Sequence, residues 1–387
     1  MRVLYISTMF EDAWFDAVFD RDEKPLHAAS KYHKLLCEGL AANGVKVNSY
    51  STLPVTPQNS TRVFLRMKRS TRGNWVRQYP VVINRSKVKH LTVMLQNLWK
   101  AMWAPGDTVV LYDYLARSAS LGAILGARLS GKRKVAIVTD LPADQVVSGK
   151  DSVQSVDEKM LAQADAYILL TRQMNDRVNP NHKPFLVVEG HSDRSMEQVV
   201  HAALTGEAPR KVIYAGTLKA IYGIRTLCEA FAACCKPGEE LHIYGDGDYV
   251  SQLRKMQQDC PAIIYHGNVS NREVVAQELE ATLLVNPRPT EGEYTNYSFP
   301  SKTLEYMVSG TPVLSAKLGG IPDEYDDYLY YFDDQSPTGL RDALRALLDK
   351  PPQELQERGR RAREFALREK NNVVQAKKIA DFLNSLP

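Results

Sequence analysis

The chain has 387 residues, more than one hydrophobic core usually serves, so two domains are expected. With 44% apolar and 24% charged residues it has the composition of a soluble globular protein, and its longest apolar runs, such as 135–138, are far shorter than the ~20 residues of a membrane span. The net charge is only +4, yet residues 39–106 contain eleven Lys or Arg and no Asp or Glu, which predicts a partner that carries phosphate.

The location of the protein is suggested by its first residues and by its cysteines. Residues 1–7 read as a first strand and show no signal peptide. The five cysteines are odd in number and form no C-x-x-C pair, which favours a reducing compartment. We therefore expect a cytoplasmic protein, with possible peripheral contact at the inner face of the plasma membrane.

The first half of the chain alternates strand and helix patterns. Apolar runs typical of strands lie at residues 2–8, 45–50, 107–112, 134–138, 164–170 and 184–188. Helices are predicted between them, notably at 28–43 and 118–129, and this alternation indicates a parallel sheet. The turn after the first strand lacks G-x-G-x-x-G, which weakens a dinucleotide-binding interpretation.

Two stretches of the basic segment, 63–72 and 91–103, mix cations with large apolar side chains. One interpretation is a solvated face on ordinary core helices. The other, given equal weight, is a surface that rests on anionic lipid or holds a phosphate-bearing acceptor. Nucleic acid would also satisfy this charge pattern.

A polar segment at 189–210 separates the first half from a second strand and helix alternation. Strands are predicted at 211–214, 241–244, 263–265, 282–285 and 311–315, and the last part, 353–386, is helical and charged. We expect a first domain at 1–195, a second at 196–365, and a C-terminal helix at 366–387 that packs on the first domain.

The stretch 286–315 is predicted to run from a strand through a polar loop into a short helix. That helix should begin near 298–300, because Ser298 can cap it and Pro300 fits its first turn. Helix N-termini at the carboxyl edge of a parallel sheet bind anions, so Ser301 and Lys302 lie where a diphosphate would bind. Glu305, one turn further on, directs a carboxylate to the same crevice.

Five motifs in the second half occur in the order seen in glycosyltransferase family 4. They are Tyr214-Ala215-Gly216-Thr217, Gly223-Ile224 with Ala230-Phe231, Tyr244-Gly245-Asp246-Gly247, Tyr265-His266-Gly267-Asn268-Val269, and Ser298-Phe299-Pro300-Ser301-Lys302 continuing through Glu305-Tyr306-Met307 to Val313. The chain resembles that family densely from about 211 to 324. The resemblance implies an α/β chain of the GT-B fold, with two Rossmann-like doubly wound parallel-sheet domains facing a cleft, and a retaining sugar transferase.

The family's site can be carried over residue by residue, with departures. Glu305 matches the second glutamate of the E-x7-E motif, which bonds the donor ribose, and Tyr297 stands where the first would be. The cationic pair that neutralises the donor pyrophosphate falls on Thr217 and Tyr222. The family's histidine in the first domain aligns with Asp140, whose carboxylate can accept hydrogen bonds from sugar hydroxyls.

Positive charge for the departing diphosphate must then come from other residues. Lys302 is the first candidate, Arg288 the second and Lys219 the third, and the predicted catalytic set is Asp140, Lys302 and Glu305. The other predicted donor contacts are the motif residues and Tyr297: Gly216, Thr217, Gly245, Asp246, Gly267, Asn268, Val269, Tyr297, Ser298, Phe299, Pro300 and Ser301.

Asp246-Gly247-Asp248 resembles a D-x-D metal motif, but the flanking glycines favour a turn close to a ligand, so no metal and no cofactor are expected.

The co-substrate would be a UDP- or GDP-linked sugar. The acceptor would be a glycan or a polyprenyl-diphosphate-linked glycan, as in bacterial surface polysaccharide assembly. Two alternatives remain: a nucleic-acid-binding protein that uses residues 39–106, and a GT-B sugar-nucleotide epimerase.

Overall fold

The computed structural model describes residues 1–21, 25, 27–141, 151–199, 210–291 and 293–386, without the side chains of 151–155, 293 and 294. The chain divides into two compact units, Met1–His191 with Asn372–Pro387, and Ser192–Asn371. Each unit is defined by the contacts that its residues make with one another. The domain boundaries at 195/196 and 365/366, which were expected from the sequence, stay a prediction.

The first unit is built on an eight-stranded sheet in the order β10-β9-β8-β7-β1-β2-β5-β4. Its strands are β1 (Arg2–Ile6), β2 (Lys46–Tyr50), β4 (Ser70–Arg72), β5 (Trp75–Gln78), β7 (Thr108–Asp113), β8 (Lys134–Val138), β9 (Ala166–Leu169) and β10 (Phe185–Val187). All neighbours pair in parallel except β4, which is antiparallel to β5. A separate antiparallel pair joins β3 (Phe64–Leu65) to β6 (Val82–Ile83).

Helices cover this sheet. They are α1 (Phe15–Val18), α2 (His27–Ala42), α3 (Ser86–Met102), α4 (Arg117–Leu129), α5 (Asp151–Ala162), α6 (Met174–Val178) and, from the end of the chain, α13 (Asn372–Ser385). The last helix packs closely on α2, because a Cβ at Gly39 would lie 2.1 Å from the Asn372 carbonyl oxygen. The side-chain amide of Asn43 also donates to the Val373 carbonyl at 2.8 Å.

The second unit contains a six-stranded, fully parallel sheet in the order β13-β12-β11-β14-β15-β16. The strands are β11 (Arg210–Ala215), β12 (Glu239–Tyr244), β13 (Ile263–Gly267), β14 (Leu283–Asn286), β15 (Val313–Ala316) and β16 (Tyr330–Phe332). The helices are α7 (Ile224–Ala232), α8 (Val250–Asp259), α9 (Asn271–Glu280), α10 (Ser301–Ser309), α11 (Pro337–Leu348) and α12 (Pro352–Glu369). Apolar runs such as Leu283-Leu284-Val285 are fully buried, as expected for strands covered on both faces.

The predicted class, an α/β chain with doubly wound parallel sheets, is confirmed. One of the two interpretations of 63–72, a face on core helices, does not hold for that stretch, and the predicted cap of α10 is wrong. The stretch 63–72 is not helical, because it forms the short strands β3 and β4 and the loop between them. The helix α10 begins at Ser301, and Pro300, with an extended backbone (φ −71°, ψ 107°), is its N-cap and not part of its first turn. Pro300 makes no side-chain capping hydrogen bond to this helix.

No helix in the described part of the chain is both long enough and apolar enough to cross a membrane.

Candidate functional site

The strand order of the second unit reverses direction between β11 and β14, which are hydrogen-bonded neighbours. Their loops leave from adjacent positions at the carboxyl edge of the sheet. In doubly wound sheets the crevice outside this point is where ligands bind. The loops after β11, β12, β13 and β14 and the start of α10 therefore enclose the candidate site.

The loops after β11 and β12 pack backbone against backbone. A Cβ at Gly245 would lie 1.8 Å from the Gly216 carbonyl oxygen, and Gly245 has a φ of +128° that favours glycine. A Cβ at Gly247 would lie 2.2 Å from the Leu218 carbonyl oxygen. The Gly216 N–H donates to Tyr244 O at 2.9 Å, and the Leu218 N–H donates to Asp246 O at 2.9 Å. Larger residues at these glycines would push the loops apart.

Lys302 enters the same place from the second position of α10. A Cβ on Gly216 would lie 1.9 Å from Lys302 Nζ, so the ammonium occupies the space that the glycine leaves. Lys302 Nζ lies 5.5 Å from the ring centroid of Tyr214, whose hydroxyl donates to Thr217 O at 2.9 Å. Burial lowers the pKa of Lys302 to about 8, and the carboxylates of Glu305 and Glu278 oppose that shift. We call Tyr214, Gly216, Arg288, Lys302 and Glu305 the Lys302 site.

Arg288 belongs to this site because it shares the electrostatic surroundings of Tyr214. Burial raises the pKa of the Tyr214 hydroxyl, Tyr222 adds to that shift, and the Arg288 guanidinium opposes it. The Arg288 guanidinium carbon also lies 5.5 Å from the ring centroid of Tyr222. Two of the three proposed replacement cations, Lys302 and Arg288, are thus close to Tyr214. The third, Lys219, is an exposed residue immediately before the 3-10 turn Ala220–Tyr222.

The segment before α10 mixes core and surface positions. Phe299 is buried and its ring contacts that of Tyr325, with centroids 5.3 Å apart. Tyr297 and Ser298 are half-buried, and Ser301, the first residue of α10, is exposed. Glu305 is half-buried one turn after Ser301, within electrostatic range of Lys302. Gly292 and the side chains of 293 and 294 lie outside the described residues.

The remaining predicted contacts in this unit lie on the loops after β12 and β13. Gly267 has a φ of +78°, and its carbonyl accepts from the Gly245 N–H at 2.8 Å, which joins these two loops. Asn268 is exposed and Val269 half-buried. Asp246 and Asp248 are both exposed, and Asp246 Oδ1 accepts from the Gly247 N–H at 2.8 Å, as a turn residue does. Among the described residues, no group of three His, Cys, Asp or Glu could hold a metal ion.

Asp140 lies in the first unit, directly after β8. It is exposed, and its backbone carbonyl accepts a hydrogen bond from the Tyr114 hydroxyl at 2.6 Å. Residues 142–150, which follow it, lie outside the described part of the chain.

Two residues that the sequence analysis did not single out help to shape the site. The Ala215 N–H donates to Tyr306 Oη at 3.0 Å and the Tyr306 hydroxyl donates to Ala215 O at 3.2 Å, which ties α10 to the end of β11. Tyr306 stands one turn after Lys302, and that spacing was the available signal. Asn286, the last residue of β14, is buried, and its side-chain nitrogen has no hydrogen-bond partner among the described residues.

One family model matches most of the second unit. Residues 209–350 match the family model described as "Glycosyl transferases group 1". No curated protein sequence is significantly similar to the chain.

Solved structures share the fold over the whole chain at low identity. Sucrose-phosphate synthase from Thermosynechococcus elongatus is 17% identical, with a TM-score of 0.72 over 100% of this chain and 99% of that one. Anabaena HepE in complex with UDP-glucose is 14% identical, with a TM-score of 0.66 over 100% of both chains. The lipopolysaccharide outer core galactosyltransferase WaaB is 14% identical, with a TM-score of 0.61 over 100% and 99%. These similarities show the GT-B fold.

Proposed function

We propose that the protein transfers a sugar from a nucleoside diphosphate sugar to a glycan acceptor. The premise is that residues 209–350 match the group 1 glycosyl transferase model and that the chain has the GT-B fold. Following the family resemblance, we further propose that the transfer retains the anomeric configuration and needs no metal. The diphosphate would be UDP or GDP. A structural relative, HepE, carries UDP-glucose in its solved complex, which supports a donor of this class.

One observation carries this proposal: half-buried Lys302 at the start of α10, whose ammonium lies in the space left by Gly216. Negative charge develops on the diphosphate as the glycosidic bond breaks, and a preorganised cation stabilises that charge best where water is excluded. The N-terminus of α10 adds partial positive charge at the same point. The Arg288 guanidinium lies close by, near Tyr214, so the site supplies cations without the basic pair that Thr217 and Tyr222 replace.

Each side chain of the Lys302 site then has a role. Lys302 and Arg288 would bind the diphosphate oxygens, and Gly216 leaves room for the ammonium. Glu305, one turn further along α10, would accept hydrogen bonds from the ribose hydroxyls. Its negative charge also keeps the pKa of Lys302 higher than burial alone would, so the cation stays charged near neutral pH.

The acceptor would bind to the first unit. We propose a glycan or a polyprenyl-diphosphate-linked glycan, used at the inner membrane face in the assembly of a bacterial surface polysaccharide. The eleven cations and the lack of acidic residues at 39–106 support an acceptor that carries phosphate. WaaB, a structural relative, is by its title a lipopolysaccharide outer core galactosyltransferase. Asp140 would accept hydrogen bonds from sugar hydroxyls.

A donor screen tests the proposal. A specific nucleotide sugar should raise the melting temperature, by an amount that grows with the logarithm of its concentration over its Kd, whereas sugars alone should not. Mass analysis of the products formed with the selected donor and a lipid-linked glycan should show one added sugar. If no UDP- or GDP-sugar changes the melting temperature, the proposal is wrong. If the donor is bound but isomerised without any acceptor, the protein is an epimerase.

A further inference from the structure

Exposed apolar side chains are concentrated in one part of the first unit. Ten large apolar side chains are substantially exposed in the described part of the chain, and seven of them lie between residues 63 and 103. These seven are Val63, Phe64, Val88, Leu91, Leu95, Trp99 and Trp103. Scattered surface apolar residues are normal, but a cluster of this kind marks a contact surface.

Five of the seven form one stripe along α3. Val88, Leu91, Leu95, Trp99 and Trp103 are three or four residues apart, so they share a face of the helix. The indoles of Trp99 and Trp103 are stacked, with centroids 6.3 Å apart and planes 7° from parallel. They are 55% and 74% exposed, which is unusual for the largest apolar side chain.

The opposite face of α3 is fixed by close packing on α4. A Cβ at Gly122 would lie 2.0 Å from the Met94 carbonyl oxygen, and one at Gly126 would lie 2.2 Å from the Leu98 carbonyl oxygen. The two helices therefore meet backbone to backbone along two turns. Because this contact holds α3 in one orientation, the stripe is a rigid feature of the unit's surface.

Exposed cations lie near the N-terminal end of the stripe. Arg85, the residue before α3, and Lys87, in its first turn, are both exposed. Arg62 and Arg66, also exposed, lie just before and just after the segment 63–65, which contains β3. The Asn84 N–H donates to Val63 O at 2.7 Å, which places this pair of apolar residues beside the beginning of α3. Segment 39–106 contains no carboxylate of its own, and Asp20, from outside the segment, accepts from the Thr61 N–H at 2.8 Å, one residue before Arg62. We call the stripe with Val63, Phe64 and these four cations the α3 surface.

A cavity of about 850 Å³ lies beneath the C-terminal half of α3. Leu95, Trp99 and Trp103 line it on one side, and Arg2 and Lys46, at the starts of β1 and β2, line it on the other. The tryptophans thus border a recess as well as solvent. Ligands of doubly wound sheets bind at the carboxyl ends of the strands, and this recess is at the amino ends, so it is separate from an acceptor site there.

We propose that the α3 surface docks on an anionic lipid bilayer. The apolar stripe would enter the boundary between headgroups and acyl chains, where tryptophan is favoured because its ring is apolar and its N–H is polar. The cations would contact the lipid phosphates. An amphipathic helix that lies in the membrane plane binds through this combination.

The charge distribution favours a membrane over a second copy of the chain. A two-fold symmetric dimer formed through α3 would bring the same patch of each copy together. The four cations of each patch outnumber Asp20, the carboxylate bound to the residue before Arg62, so the two copies would repel each other. A bilayer that contains anionic lipid supplies both the negative charge and the apolar layer.

Vesicle co-sedimentation tests the proposal without any sugar donor, so its result is independent of the glycosyl transfer activity. The full chain should bind phosphatidylcholine vesicles that contain phosphatidylglycerol at low salt, release them at high salt, and bind pure phosphatidylcholine weakly. Trp99→Ser with Trp103→Ser should weaken binding at least about tenfold. Arg85→Glu with Lys87→Glu should weaken it by about 25-fold or more, at roughly fivefold for each cation. Val156→Ser, which changes another exposed apolar side chain of the same unit, should bind as the parent does.

Tryptophan emission provides a second measurement. Vesicles should shift the emission to shorter wavelength, and Trp99→Phe with Trp103→Phe should remove that shift. An unchanged melting temperature shows that each variant folds, and the single variant Trp103→Ser, at the more exposed position, serves if the double variant does not fold. The proposal is overturned if the parent fails to bind anionic vesicles at low salt, or if the tryptophan variants bind equally well. It is also overturned if gel filtration shows that the parent is a dimer and that the only effect of the tryptophan substitutions is to convert it to a monomer.

Discussion

The molecule carries positive charge in two contrasting ways. In the Lys302 site, the ammonium of a half-buried lysine packs against a glycine, close to an aromatic ring and near a second cation, Arg288. On the α3 surface, several cations are exposed near one end of an apolar stripe. A buried cation interacts strongly because water does not screen it, whereas exposed cations act together and are weakened by salt. The first arrangement suits one specific anion, and the second suits a broad charged surface.

Lys302→Ala should have the largest effect on the buried region. Nucleoside diphosphate affinity should fall about 100-fold, equivalent to about 2.7 kcal/mol, because a charge-assisted contact is lost in a desolvated site. Isothermal titration calorimetry with UDP and GDP, at two salt concentrations, measures this loss. Lys255→Ala, at an exposed position on α8, is the matched control and should not change affinity. Equal affinity of the Lys302→Ala protein and the parent would remove Lys302 from the site.

Gly216→Ala tests the geometry of the site without removing a charge. The new Cβ would lie 1.9 Å from Lys302 Nζ, so the ammonium must move. We expect a loss of diphosphate affinity of roughly tenfold to 100-fold, by analogy with a misplaced charged hydrogen bond. Gly106→Ala is the control, since a Cβ there meets nothing within 4 Å. If both variants bind the diphosphate as the parent does, the position of the Lys302 ammonium does not matter.

Glu305→Ala should reduce nucleotide affinity about tenfold, with the protein still folded, because the ribose hydroxyls lose a charged acceptor. The same calorimetric titration measures it. Glu354→Ala, an exposed glutamate on α12, should leave the affinity unchanged. Unchanged affinity and turnover in Glu305→Ala would show that Glu305 is only a helix-surface carboxylate.

The contrast also shows what a sequence can predict. Short apolar runs such as Leu283-Leu284-Val285 predicted buried parallel strands, because a run of that length between turn residues is typical of a strand covered on both faces. Lys302 was found because helix starts after strands bind anions. The approach of its ammonium to Gly216 could not be predicted, since it joins residues 86 positions apart through side-chain packing. The start of α10 was misplaced because Ser298 has a capping side chain but Pro300 takes the cap position.

The α3 surface was only partly predictable for a related reason. The missing acidic residues at 39–106 are visible in the sequence, but the exposure of each apolar residue is not. Leu98 and Leu95 are chemically alike, yet Leu98 is half-buried, with its carbonyl close to Gly126, and Leu95 is exposed. Helical periodicity alone does not say which face meets α4, because both faces of α3 carry apolar residues.

The smallest expected effect is that of pH on diphosphate affinity. It distinguishes the Lys302 site from the α3 surface. Lys302 has a pKa of about 8 when the site is empty, because burial lowers it. A bound diphosphate favours the protonated form and raises that pKa, so affinity should fall as pH rises through 8. Between pH 7 and pH 8.5 the protonated fraction falls about fourfold, and diphosphate affinity should fall by the same factor. The diphosphate itself contributes little, since its last proton is lost near pH 6.

The dependence on pH should be absent in Lys302→Ala and should begin at lower pH in Glu305→Ala, where the carboxylate that raises the pKa of Lys302 is lost. Vesicle binding should not change over the same range, because Arg85 and Lys87 are exposed, and arginine and lysine side chains in water lose their protons only above about pH 10. Parallel titrations of diphosphate and vesicles at pH 7, 8 and 8.5 therefore compare a buried cation directly with exposed ones. A diphosphate affinity that is constant across this range would mean that Lys302 is not the cation that binds it.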